Sequence, residues 1–246
     1  METGRSGALS KAMDEAGAGS RNTSIASKLN WLRAGVLGAN DGIVSTASII
    51  FGVAGAAASR STLILAGIAA IAAGAMSMAV GEYVSVSSQR DVEEAEIARE
   101  KLELKRDPDG ELEELGGLLE GRGIDRELAG EVAHQLTDRD PLTAHARLEL
   151  GIDPETVVNP WHAALASMIA FTIGGLIPFL AVLLSKESVA ILVCGAAVVA
   201  ALAMTGSISA WLGRTPFSKS IVRTVAGGLL GMGITYGVGR IAGTRV

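Results

Sequence analysis

Five stretches of this chain are apolar for about the 20 residues that an α-helix needs to cross a bilayer core of roughly 30 Å. They cover residues 31–58, 62–88, 161–184, 189–212 and 217–241. Lipid offers no hydrogen bonds to exposed backbone, so helices are the expected spanning form. Composition agrees. The 246 residues are 49% hydrophobic and only 19% charged, with a mean hydropathy of +0.39. A soluble domain carries about 25% charged residues. So many apolar residues also argue against disorder, and the single cysteine, Cys194, excludes a disulfide framework. The expected fold is all-α: a polytopic membrane protein with five transmembrane helices and a cytoplasmic helical insert between the second and third.

The apolar run is broken once, by residues 90–158. This segment holds 20 acids and 9 bases, a net of −11, while the rest of the chain is +6. Four regions are therefore expected: a mobile tail over 1–29, transmembrane helices over 30–89, an acidic helical domain over 90–158 that binds metal, and transmembrane helices over 159–246. The tail has no apolar run of the kind a secretory signal needs. No Pro or Gly lies between Glu82 and Asp107, so the second spanning helix is expected to continue to about Arg106. Asp107-Pro108-Asp109-Gly110 reads as a stop and turn. Short helices are expected over 111–120, over 126–137 with Asp125 as N-cap, and over 140–150 before Gly151. Asn159-Pro160 marks the return to the membrane.

Glycine pairs four apart recur in the spans: Gly38 and Gly42, Gly227 and Gly231, Gly233 and Gly237. Such spacing allows close helix approach, although glycine is common in membrane helices in any case. Pro178, after Gly174 and Gly175, is expected to bend its span. Lys28, Arg33, Arg214, Lys219 and Arg223 fall at one set of span ends. Arg60 and Lys186 are nearly alone at the other. The positive-inside rule then puts the N-terminus and the insert in the cytoplasm and the C-terminus opposite, with Arg240 and Arg245 counting against it.

Acids within the spans are the first candidates for chemistry. Asp41 lies inside the first and Glu82 within the second. A carboxylate in the membrane is costly enough that function is its default reading. Met78 is four residues from Glu82 and shares its helical face. A thioether with carboxylates suits a partly soft divalent cation such as ferrous iron. The competing readings are a water-facing interfacial acid for Glu82, an internal hydrogen bond or helix-end contact for Asp41, and plain packing for Met78.

In the insert, Glu93, Glu96, Glu100 and Glu103 form one helical stripe. Glu111 and Glu114 are three apart, and His145 and Glu149 four apart. Carboxylates this dense repel one another unless a cation neutralises them; the competing reading is a solvated acidic face. Glu131-x-x-His134 is half of a diiron motif that needs two such pairs, so it reads as structural, and His162 reads as interfacial. No phosphate loop, catalytic triad or Cys-x-x-Cys occurs. The insert is too acidic for nucleic acid.

The run from Trp31 to Thr46, WLRAGVLGANDGIVST, and the run from Met76 to Asp91, MSMAVGEYVSVSSQRD, resemble the vacuolar iron transporter family. Asn159-Pro160 with Ala163-Ala164-Leu165-Ala166-Ser167 is similar to that family at its third span. The resemblance covers about residues 30–243. It implies a homodimer in the lipid bilayer of a plasma membrane or vacuole-like organelle. It implies a transporter, not an enzyme, that exports ferrous iron and often manganese from the cytoplasm in exchange for protons. Metal would be substrate and ligand, with no prosthetic group. The family's metal-binding positions fall on Glu100, Glu103, Glu111, Glu114, position 145 and Glu149, and its pathway carboxylate and methionine on Asp41 and Met78; the chain's own Glu82 joins these as a pathway candidate. His145 stands where the family has methionine, and imidazole suits iron and zinc. Two other readings fit the residues: a membrane-anchored metal-binding or ferroxidase protein without transport, and a structural or signalling membrane protein whose insert binds a basic partner.

Overall fold

The computed structural model describes residues 35–154 and 159–244. The tail expected over 1–29, the start of the first span, Lys28, Arg33 and Arg245 lie outside them. The described residues are helical throughout, with no strand. Helix α1 covers Gly35–Gly55, α2 Arg60–Arg106, α3 Pro108–Gly121 and α4 Arg126–Arg139. Then come α5 Pro141–Leu148, α6 Pro160–Leu184, α7 Ala190–Gly213 and α8 Phe217–Gly243, with a short 3-10 turn at Glu187–Val189 before α7. Among the described residues, five segments are long and apolar enough to cross a membrane: α1, α2, α6, α7 with its preceding turn, and α8. As expected, α2 runs unbroken to Arg106, for 47 residues.

The chain divides into two compact units, one up to Val80 and from Ala164 onward, the other Gly81–Ala163. In the first unit, Ile43, Ala47 and Ile50 of α1 pack with Cys194, Val198, Ala201 and Leu202 of α7, Val182 of α6 and Met232 of α8. Many large apolar side chains stay exposed, among them Leu65, Leu192, Leu230 and Ile241, as a lipid-facing surface requires. Two helix crossings are close enough to exclude a side chain. A Cβ on Gly42 would collide with the Phe171 carbonyl oxygen of α6, and one on Gly174 with the Ala39 carbonyl oxygen. Farther along α1, a Cβ on Gly239 of α8 would strike the Gly52 carbonyl oxygen, and one on Gly55 that of Tyr236. Small residues are what allow backbones to approach so closely. Of the three pairs singled out by spacing, only Gly38 and Gly42 both face another helix closely. Gly227, Gly233 and Gly237 have nothing within 4 Å. α6 continues as helix through Pro178.

Gly42→Ala is therefore expected to disrupt the first unit, because its clash is with backbone and no side chain can rotate away. Overpacked cores lose about 1–3 kcal/mol, occasionally more. The same change at Gly233 should be nearly silent. Thermal unfolding in detergent checks both, and equal loss at the two positions would refute the assignment.

The second unit has its own small core. Leu115 and Leu119 of α3 pack on Ala129 and Ala133 of α4 and Ala144 of α5. The alanines, four apart, let α3 approach α4 closely. Tyr83 and Trp161 stack within this unit, with ring centroids 4.7 Å apart. The expected stop and turn at 107–110 needs correction. Only Asp107 lies outside a helix: its carboxylate accepts from the Gly110 N–H at 3.1 Å as N-cap of α3, and Pro108 opens that helix. Proline suits a first helical position, because its missing N–H would find no partner there anyway. α4 is capped by Asp125, as expected.

Candidate metal centre and membrane cavity

Helix α5 is only eight residues long, and its ends are fixed by side chains. The Asp140 carboxylate accepts from the Thr143 N–H at 3.1 Å and from the Thr143 hydroxyl at 2.7 Å. These bonds hold the Asp140 carboxyl below its usual range. At the other end, Arg122 donates to the Leu148 carbonyl, and Gly151 turns the chain away with φ of +67°. Glu149 thus caps α5 instead of lying inside it. The result is a fixed His145, fully buried.

Three carboxylates meet at this ring. From His145 Nδ1 it is 3.1 Å to Glu100 Oε1 of α2, 3.3 Å to Glu149 Oε2 and 3.7 Å to Glu111 Oε2 of α3. Ligands bonded to one metal at about 2.1 Å lie roughly 3.0 Å apart in an octahedron and 3.4 Å in a tetrahedron. The three carboxylates lie 3.1 to 3.7 Å from Nδ1, close to that spacing. The cluster is only partly satisfied: His145 Nδ1 shares a hydrogen bond with Glu149 Oε2 at 3.3 Å, while Glu100 Oε1 is buried with no hydrogen-bond partner, as is Nε2, the ring nitrogen away from the carboxylates. Buried groups left so are uncommon and call for an explanation such as an ion. Glu100, Glu111 and His145 can offer ligand atoms all within 4.8 Å of one another.

Of the six insert residues expected to bind metal, these three and Glu149 come together. Glu103 turns to Arg99 at 3.5 Å, and Glu114 is exposed; both stay near enough for their charges to act on Glu111. In the stripe on α2, Glu93 is bonded by Gln89 and Glu96 by Arg99. Glu100 alone of the four is buried. His134 and His162 are exposed.

Burial, and then the charge of Glu149, push the Glu100 carboxyl above the ordinary glutamate value; Glu111 and Glu103 add to this while His145 opposes it. Glu111 is raised by burial, then by Glu114. A carboxyl raised in the folded state holds protons that the unfolded chain has released. Its contribution therefore destabilises the domain as pH rises through the folded value, and lowering the pH restores stability, fully so below the unfolded value. Metal binding, which needs the deprotonated forms, should weaken over the same range. Metal-free thermal melts and metal titrations from neutral to mildly acidic pH should move in opposite directions. Parallel movement would contradict this account.

The first unit holds a cavity of about 540 Å³ between α1, α7 and α8. Asn40 and Asp41, Thr205 and Ser209, and Arg223 and Thr224 supply its polar wall. Asp41 accepts from the Ser45 hydroxyl at 3.0 Å, and Thr205 reaches the Asn40 side chain at 3.5 Å. Among the described residues that line it, Asp41 is the only acid and Arg223 the only base. Met78 is half-buried on α2 and does not line the cavity; Glu82 is half-buried on the same helix. Spacing had not singled out Thr205, Ser209 and Thr224. Hydroxyls inside otherwise apolar spans were the available signal.

The sequence profile of the VIT family matches residues 32–240. Over 227 residues the chain is 42% identical to a protein named vacuolar iron transporter from Acanthamoeba castellanii, covering 92% of this chain and 84% of that one. It is 36% identical over 219 residues to vacuolar iron transporter homolog 4 of Arabidopsis thaliana, covering 89% and 87%. With vacuolar iron transporter homolog 5 of Oryza sativa subsp. japonica it shares 37% over 220 residues, covering 88% and 83%.

Proposed function

Since the chain belongs to the VIT family, whose members are integral membrane transporters and not enzymes, we propose that it exports ferrous iron, and manganese, from the cytoplasm in exchange for protons. The observation that carries this reading is Asp41, an ionisable group in the wall of a polar cavity among membrane-spanning helices. Intramembrane acids mark ion paths and proton relays. A carboxylate binds either a cation or a proton, so one group can exchange the two.

The cluster of Glu100, Glu111, His145 and Glu149 supports metal handling in the second unit. Its mixture of carboxylates and imidazole suits iron, manganese and zinc. In this reading the metal is cargo and ligand, and no prosthetic group is resident. The insert and N-terminus face the cytoplasm, and the C-terminus lies opposite. Two copies form a homodimer.

The test is uptake of ferrous iron and manganese into sealed proteoliposomes with and without an imposed proton gradient. Uptake that requires protein and accelerates when protons can flow the other way supports the reading. Binding without uptake, accompanied by oxygen consumption on adding ferrous iron, would instead favour the membrane-anchored ferroxidase.

A further inference from the structure

A shallow, open surface groove lies at the start of α8, lined by Ser218, Lys219, Val222 and Arg223. Lys219 and Arg223 are four residues apart, on one helical face. Arg214 ends α7 three residues before α8 begins, in a left-handed conformation with φ of 50°. All three cations are exposed, and none has an ion pair among the described residues. The sequence holds no acid after Glu187, so neither α7 nor α8 offers one. The flanks are apolar and exposed: Trp211, Phe217 and Val222 are 70%, 52% and 66% accessible. An unpaired cluster of cations with bare apolar neighbours, where two spans meet at the membrane edge, matches one ligand in both its parts. The phosphate of an anionic phospholipid meets the cations, and its acyl chains meet the apolar flanks. Aromatic residues at the headgroup level and basic pockets between spans are the physical basis of such recognition.

We infer that Lys219 and Arg223, with Arg214 beside them, hold the headgroup of an anionic phospholipid. Arg223 gives this site a consequence. It borders the surface groove and also lines the cavity that contains Asp41. A guanidinium turned into the Asp41 cavity repels an arriving cation and attracts the carboxylate. One engaged by a lipid phosphate does neither. The lipid thereby sets the charge at the mouth of the Asp41 cavity. The headgroup site stands on its own observations, and only this effect on transport rests on the function proposed above.

The experiment reconstitutes the full chain in vesicles of phosphatidylcholine alone or mixed with phosphatidylglycerol. Phosphatidylglycerol retained through re-extraction in detergent is then quantified by mass spectrometry. Lys219→Gln with Arg223→Gln should lower retention about 25-fold, at roughly fivefold for each charge. Lys219→Arg with Arg223→Lys should restore it, which separates loss of charge from loss of fold. Retention unchanged in the glutamine variant, or lost equally in Lys186→Gln at another span end, would overturn the proposal. So would complete displacement by inorganic phosphate, which would mark a site for free anions. In the uptake arm, phosphatidylglycerol should accelerate wild-type metal uptake, and Arg223→Gln should make uptake the same in both vesicles. If wild type retains the lipid but moves no metal in either vesicle, the transport reading fails while the headgroup site stands.

Discussion

Replacing Asp41 with asparagine should slow metal uptake into proteoliposomes on the order of 100-fold while leaving the fold intact. The amide has the size of the carboxyl and keeps an oxygen to accept from Ser45, the bond seen at 3.0 Å. The helix should therefore not notice the change. The cavity should. Its other polar groups are neutral, apart from Arg223, so without Asp41 it holds no anionic ligand and carries net positive charge. A pair of unit charges 4 Å apart is worth about 4 kcal/mol at an effective dielectric near 20. Loss of even part of that attraction lowers the rate on the order of 100-fold. Initial rates of uptake, beside melting curves for both proteins, are the measurement. Wild-type transport by Asp41→Asn would remove Asp41 from the mechanism.

Glu100→Gln should weaken metal binding and strengthen the metal-free protein at once. Groups hydrogen-bonded behind a metal ligand are already worth about 10- to 100-fold in affinity, so loss of a ligand should cost at least that. Without metal, Glu100 is a buried acid facing Glu111 and Glu149, and a neutral amide ends the repulsion. The pH dependence of metal-free stability should flatten with it. Titration with manganese and melting without metal make the pair of readouts. A residue that served only to pack the domain would lose stability and affinity together, and that outcome would refute its role as a ligand.

The spans could be read from sequence because apolar length is a local property that the bilayer turns directly into structure. The unbroken course of α2 was also local, since nothing between Glu82 and Asp107 interrupts a helix. Asp107-Pro108 was half legible. Proline ends one helix and is equally suited to begin another, and the sequence does not say how soon the next begins. The pairing of His145 with Glu149 followed from helical spacing. Their meeting with Glu100 and Glu111 did not, because it depends on how α5 packs after α3 and α4, and only the family resemblance anticipated it. Gly174 illustrates a different gap. Beside Pro178 it suggested a bend, whereas it serves a crossing with Ala39 whose partner lies 135 positions away in the sequence. The cavity hydroxyls were hidden because one threonine in an apolar span satisfies itself on its own helix as readily as it lines a path.

The crossings that fix α1 also decide which wall of its cavity can move. Backbone contact holds α1 to α6 at Gly42 and, most tightly, to α8 at Gly239, which makes α1 the natural fixed element. α7 and α8 are bound to each other by the close approach of Gly206 to Ile221 and of Gly228 to Leu202, and they would travel as a pair. Were α8 to tilt about Gly239, Arg223 would sit on the long arm, about 24 Å away along the helix. A tilt of about 5° at the fulcrum would carry that arm about 2 Å, the scale of an ordinary helix shift. Four glycines at close helix crossings would thus turn a small rotation at one membrane face into a change of aperture near the other.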